Sequence, residues 1–127
     1  MSKKIVISGS IKFHSLIEGV IKELTRLGFA PLFPNLNYSL ENKGKEMTIK
    51  ECNRLACEHY EKIKESDAAY FILPKGYMGT SCKLELGYAL ALEKPIYFSE
   101  LTNDMALDGY VKKIIPLDKL SQFKEEF

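Results

Sequence analysis

The chain has 127 residues, enough for one domain with a real hydrophobic core. Hydrophobic residues make up 46% and charged residues 28%, the ordinary balance of a globular protein, and the net charge is +1. There is no lysine or arginine stripe and no apolar run of bilayer length, which argues against a nucleic-acid polymer or a membrane as partner. Small anions remain allowed, because backbone amides bind those locally.

The start, Met1-Ser2-Lys3-Lys4, runs straight into an apolar segment without an h-region or small-residue cleavage site, so no signal peptide is expected. The cysteines, Cys52, Cys57 and Cys82, show no CxxC spacing. Two of them fall on the inner faces of expected helices, and buried reduced thiols in a cytoplasmic protein are expected. Cys82 stands near a helix start, which would lower its pKa.

Lys4–Ser8 (KIVIS) is a continuous apolar run ended by Gly9-Ser10, as in a central parallel strand. Residues 11–14 form the following loop. Ser15 and Glu18 form a capping box for a helix with the stripe Leu16, Val20, Leu24 and Leu27, joined by Ile17 and Ile21, and Gly28 is its stop. Residues 29–33 (FAPLF) are a second strand, and Pro31 within it points to a sheet edge. Residues 34–47 are polar and without period; they read as a long loop in which Asn35, Asn37 and Tyr38 would touch a ligand if it folds over a site. Thr48 and Glu51 form a second capping box, for a helix running to about Glu65. Its inward stripe is Ile49, Cys52, Ala56, His59 and Ile63. His59 therefore faces inward, where a lone histidine is usually a satisfied core residue.

Residues 68–73 (AAYFIL) read as a third, buried strand. A glycine-rich turn follows at 76–79, then a helix with Thr80 or Ser81 as N-cap, then Glu93-Lys94-Pro95 and a fourth strand, Ile96–Phe98. Residues 101–111 admit a short helix, 113–117 (KIIPL) a fifth strand, and 120–127 a closing helix with Phe123 and Phe127 on one side. Strands alternating with helices predict a single α/β domain over 1–127: a doubly wound, flavodoxin- or Rossmann-like parallel sheet of five strands, order 2-1-3-4-5, with helices on both faces. Ligands in such sheets bind at the carboxyl ends of the strands beside the switch point, here at loops 9–14 and 74–81.

The second loop delivers Glu85. Its helical neighbours Cys82, Tyr88, Ala89 and Leu92 carry no positive charge. Burying an unpaired ion costs several kcal/mol, and a helix N-terminus returns only about 0.3–1 kcal/mol. A pocket mouth resolves the conflict; the plainer reading is an exposed first-turn glutamate. Walker A, G-x-G-x-x-G and G-x-S-x-G sequences are absent, and His14 and His59 lie far apart without metal-ligand spacing. No cofactor and no metal are expected.

At Ile7-Ser8-Gly9-Ser10-Ile11, Ser66-Asp67-Ala68, Gly79-Thr80-Ser81, Glu85-Leu86-Gly87-Tyr88-Ala89 and Lys94-Pro95, the sequence resembles the nucleoside 2-deoxyribosyltransferase family, including the 2'-deoxynucleoside 5'-monophosphate N-glycosidases. The resemblance implies that Glu85, in the E-L-G motif, is a nucleophile toward the anomeric carbon of a nucleoside or nucleotide, giving a glycosyl-enzyme ester that water hydrolyses or a second base intercepts. The helix N-terminus would keep it ionised. In catalysis Glu85 is expected to act with His59 and, secondarily, Asp67. In substrate binding the matched motifs and the two switch-point loops together give Ser8, Gly9, Ser10, Ile11, His14, Gly76, Met78, Gly79, Thr80 and Ser81 as expected residues. It also implies a homodimer or larger homo-oligomer with shared sites, completed from residues 101–110 of a neighbour. One departure stands out: His59 occupies the position, eight residues before Asp67, where the family carries an aspartate. A histidine there would protonate the leaving base or bind sugar hydroxyls, or else mark altered substrate or lost activity. The alternative function is therefore a non-catalytic sensor of a nucleotide-derived ligand, and the plainest is a structural scaffold.

Overall fold

The structure is a computed structural model that describes residues 2–36 and 47–127. Strands β1 (Lys4–Ser8), β2 (Ala30–Leu32), β3 (Ala68–Phe71), β4 (Ile96–Phe98) and β5 (Lys113–Ile114) form one parallel sheet in the order β2-β1-β3-β4-β5. Helices α1 (His14–Arg26), α2 (Ile49–Glu65), α3 (Thr80–Ala91) and α4 (Met105–Asp108) connect them. Pro31 sits on the β2 edge, where its missing N–H costs no ladder bond. Among the described residues no helix is long and apolar enough to cross a membrane.

Period-two alternation sorts the strand side chains into two layers. Ile5, Ile7, Tyr70, Ile72 and Tyr97 face α1 and the C-terminal turn, joining Ile17, Val20, Leu24 and Phe123. Val6, Ala69, Phe71 and Phe98 face the other way and meet Ile63, Cys82, Leu86 and Ala89 of α2 and α3. Ser8, two residues beyond Val6, shares this second face.

Several boundaries differ from expectation. α1 begins at His14 with Phe13 as an N-cap that makes no side-chain bond, so Ser15 lies inside the helix and its capping box with Glu18 does not form. The cause is the 3-10 turn Ile11–Phe13, which feeds directly into α1. The Gly28 stop is present: at φ 93°, its N–H bonds Thr25 O and that of Phe29 bonds Leu24 O, a Schellman closure. The box at Thr48 and Glu51 also forms, with the Glu51 N–H donating to Thr48 Oγ1 at 3.1 Å.

The expected inward stripe of α2 holds only in its second half. His59 and Ile63 are buried, whereas Cys52 is exposed and Ile49 is 91% exposed. Length explains this. The 17 residues of α2 extend about 25 Å, against about 17 Å for the five residues of β1. Its first turns overhang the carboxyl edge of the sheet. The closing segment is a 3-10 helix, Leu120–Glu125, and β5 has two residues rather than five. Phe123 is fully buried and Phe127 half-exposed, yet both rings pack on Phe29, at 6.2 and 5.8 Å.

Candidate active site

At the switch point between β1 and β3 lies a cavity of about 400 Å³, lined by the turn after β1, the overhanging start of α2 and the first turns of α3. Of the expected site residues, Gly9, Ser10, Ile11, Gly79, Thr80, Ser81, His59 and Glu85 line it. α3 starts at Thr80 with Gly79 as its N-cap, so neither Thr80 nor Ser81 caps it. The opening backbone N–H groups of α3 therefore lie at the cavity wall.

Glu85 is the buried charge of this cavity. Its side chain is 12% exposed, and it stands 3.3 Å from His59 Nε2 through Oε1. The same His59 nitrogen lies 3.2 Å from Ser8 Oγ. Ser8 also hydrogen-bonds the Glu85 carboxylate. β1, α2 and α3 thus each contribute one corner of a buried triangle. Burial pushes the Glu85 carboxyl up to about 7, and the Ser8 hydrogen bond only partly opposes it. Ionisation at the helix start is therefore half complete near neutrality rather than full. Burial and the charge of Lys62 push His59 down to about 4. The triangle is not a serine-hydrolase relay: that chemistry places serine and acid on opposite imidazole nitrogens, whereas here both meet Nε2.

The other expected residues go elsewhere. Ser8 is fully buried behind the cavity wall and acts on Glu85 and His59 rather than on the cavity space. Met78 is part of the core with Cys82 and Leu86. His14 lies 3.4 Å from Glu18 on α1, outside the cavity. Gly76 shapes the turn: at φ 76°, an added Cβ would stand 2.8 Å from Leu101 O, so close backbone approach explains the glycine. Asp67 corrects the sequence reading most clearly. It sits before β3, at the amino edge of the sheet, where its carboxylate accepts the Lys4 N–H at 2.8 Å and its own N–H bonds Lys4 O at 2.7 Å. The parallel sheet puts that edge opposite the cavity.

The thiols also differ from expectation. Cys52 and Cys57 are exposed, and Cys52 lines the cavity. Burial and the nearby Glu85 charge push the Cys82 thiol up to about 12, overriding the helix N-terminus. Tyr60, Tyr77, Leu55, Ala56 and Met47 complete the cavity wall. Tyr60 packs against Tyr88 in a tilted contact with ring centroids 5.1 Å apart, and burial together with Glu85 pushes its phenol up. Adjacency to His59 on the overhanging helix was the available signal for Tyr60. For Tyr77 the signal was its place in the glycine turn. Asn35 lines the cavity as anticipated; Asn37 and Tyr38 lie outside the described residues. No group of three or more His, Cys, Asp or Glu able to hold a metal occurs among the described residues.

No family model matches the chain, and no curated protein matches it. The fold does have relatives among solved structures. A 2-deoxyribosyltransferase from the psychrotolerant bacterium Bacillus psychrosaccharolyticus is similar over 93% of this chain and 90% of its own, with a TM-score of 0.67 and 18% identity. A conserved protein from Enterococcus faecalis V583 is similar over 97% of this chain and 99% of its own, with a TM-score of 0.69 and 13% identity. At these identities the likeness establishes the doubly wound fold that the two share with this chain.

Proposed function

We propose that the protein cleaves or transfers the N-glycosidic bond of nucleosides, deoxynucleosides or their 5'-monophosphates, with Glu85 as nucleophile. The observation that carries this reading is a buried carboxylate that, among the described residues, has no cationic partner and is held at a switch-point cavity beside two neutral side chains, Ser8 and His59. An ion kept there against its desolvation cost has a use.

In the proposed reaction one Glu85 oxygen bonds the anomeric carbon as the C–N bond breaks, and the bonding pair leaves with the base. The ester then opens to water or to the N–H nitrogen of a second base, and the proton that the attacking group loses balances the one the expelled base takes up from solvent. Gly9, Ser10, Gly79, Thr80 and Ser81 offer backbone amides and hydroxyls to sugar or phosphate oxygens. Ile11, Tyr60 and Tyr77 offer apolar faces to a planar base. A homodimer or larger assembly with shared sites, and a cytoplasmic setting, belong to the same proposal.

The test is chromatographic detection of free base after incubation with each nucleoside and 5'-monophosphate, beside Glu85→Ala and Glu85→Gln. Release by the wild type and a loss of at least about 100-fold in both variants is expected. Equal release by all three proteins would remove Glu85 from the chemistry. One observation favours a second reading, a non-catalytic nucleotide sensor: histidine stands where the resemblance expects an aspartate. Thermal stabilisation by a nucleotide without released base would select it.

A further inference from the structure

We infer that His59 is a fixed, neutral Nε2–H donor which, with Ser8, positions the Glu85 carboxylate, and that it carries no proton to the leaving base. The role toward Glu85 rests on the nucleophile reading above; the protonation state stands independently of it.

The inference begins at the other ring nitrogen. Among the described residues, His59 Nδ1 is buried and has no hydrogen-bond partner. Three forms of the ring are available. The imidazolium and the Nδ1–H tautomer both place a proton on this orphaned atom. A buried donor without an acceptor costs about 1–3 kcal/mol, more when charged. The Nε2–H tautomer leaves an unfilled lone pair at Nδ1, a cost of the same order as an unfilled N–H, so Nε2 decides between the neutral forms: the Nδ1–H ring would turn a lone pair toward the Glu85 carboxylate. The Nε2–H ring instead gives Ser8 Oγ, at 3.2 Å, a donor with hydrogen-bond geometry, while Glu85 Oε1 stands 3.3 Å from the same nitrogen. Ser8 in turn hydrogen-bonds Glu85. In this arrangement the Nε2–H has Ser8 Oγ as acceptor and the Ser8 hydroxyl has the carboxylate, so the two donors run in series toward Glu85.

The charges around the ring agree. Ser8 approaches from β1 and is neutral. Glu85 approaches from α3 and is an anion for only part of the time near neutrality. Lys62, on the same helix as His59, repels an added proton, and burial does so more strongly. Cys82 and Tyr60, the other titratable groups near Glu85, have titrations pushed upward and stay uncharged. A general acid must hold its proton at the working pH. The single N–H of a neutral imidazole is far too weak an acid to be given to a leaving base, so His59 is a positioning residue.

The chain has two histidines, so nitrogen-15 NMR of the labelled wild-type protein shows two ring pairs, and His59→Gln identifies which belongs to His59. Expected is the neutral Nε2–H pattern, unchanged from about pH 5.5 to 8. Imidazolium shifts above pH 6, or the Nδ1–H pattern, would overturn the inference. Kinetics give the second arm. Glutamine keeps an N–H donor near the place of Nε2, so His59→Gln is expected to lose less than about tenfold in kcat with an unaltered pH profile, and His59→Leu about 100-fold. An equal loss of about 100-fold or more in both variants is the mark of general acid catalysis and would overturn it. If the wild type releases no base from any nucleotide, the proposed function falls, while the NMR result still decides the ring's state.

Discussion

His59 Nε2 and Glu85 Oε1 stand 3.3 Å apart where α2 crosses α3, and burial moves their titrations in opposite directions. Both residues prefer the uncharged form when folded, which makes stability the first quantity to read.

The Glu85 carboxyl keeps its proton up to about pH 7 in the folded chain, against an ordinary value of 4.5. Its contribution is therefore present at low pH and lost as pH rises from 4.5 to 7. His59 behaves inversely: its contribution is present above 6.5 and lost as pH falls toward 4. Each amounts to about 3 kcal/mol. The slopes oppose one another over most of the range, so the pair leaves the wild-type curve nearly flat between about pH 4.5 and 6.5. Glu85→Gln exposes the histidine slope, and stability then rises across that range; His59→Gln exposes the glutamate slope, and stability falls toward pH 7. Urea unfolding at half-unit pH steps measures both. A Glu85→Gln curve parallel to the wild type would show that the carboxyl titrates normally.

Thiol reactivity follows from position. Cys52 and Cys57 are exposed and Cys82 is buried, with its thiol pushed up to about 12. An aromatic disulfide reagent at pH 8 is expected to titrate two thiols rapidly and the third only after unfolding. Mass mapping of the labelled cysteines checks the assignment, and rapid labelling of Cys82 would contradict the burial seen here. Ligand in the cavity is expected to slow Cys52, which lines it, more than Cys57.

The sheet order, the edge position of Pro31, the inward turn of His59 and the cavity flanking Glu85 were all legible in the sequence, because each rests on a periodicity or a topological rule. What the sequence hid depends on distances between elements. The capping pattern at Ser15 and Glu18 is sound chemistry, but the preceding 3-10 turn had already started the helix. The stripe of α2 is periodic throughout, yet periodicity does not reveal that the helix outruns the sheet. Ser8 was expected to bind substrate from the end of β1; its tie to Glu85 needs α2 and α3 in place. Asp67 and Lys94 belong to the same motif series as Glu85, but the parallel strands carry them to the opposite edge.

That separation gives a prediction for Lys94. Its ammonium donates to Ser66 O at 2.7 Å and Lys64 O at 3.0 Å, satisfying carbonyls at the end of α2. Lys94→Met is expected to cost about 1–2 kcal/mol of stability. Asp67→Ala, which removes the acceptor of the Lys4 N–H, is expected to cost about 1 kcal/mol. In neither variant should the melting-temperature shift given by a bound nucleotide change. A loss of that shift in Asp67→Ala would return the residue to the site, against its position at the amino edge.

Two helix ends close in the same way with different residues, and this sets up a paired substitution. After α1, Gly28 takes φ 93° with Phe29 N–H bonded to Leu24 O. After α3, Glu93 takes φ 59° with Lys94 N–H bonded to Ala89 O. A side chain in the left-handed region costs roughly 1–2 kcal/mol, less the backbone entropy that glycine forfeits on folding. A Cβ at Gly28 would meet nothing within 4 Å, so its cost is conformational alone. Gly28→Ala is therefore expected to destabilise by about 1 kcal/mol, and Glu93→Gly to stabilise by up to about 1 kcal/mol. Urea midpoints of the two variants decide the matter. If Glu93→Gly destabilises instead, the Glu93 side chain contributes more at that turn than its backbone geometry costs.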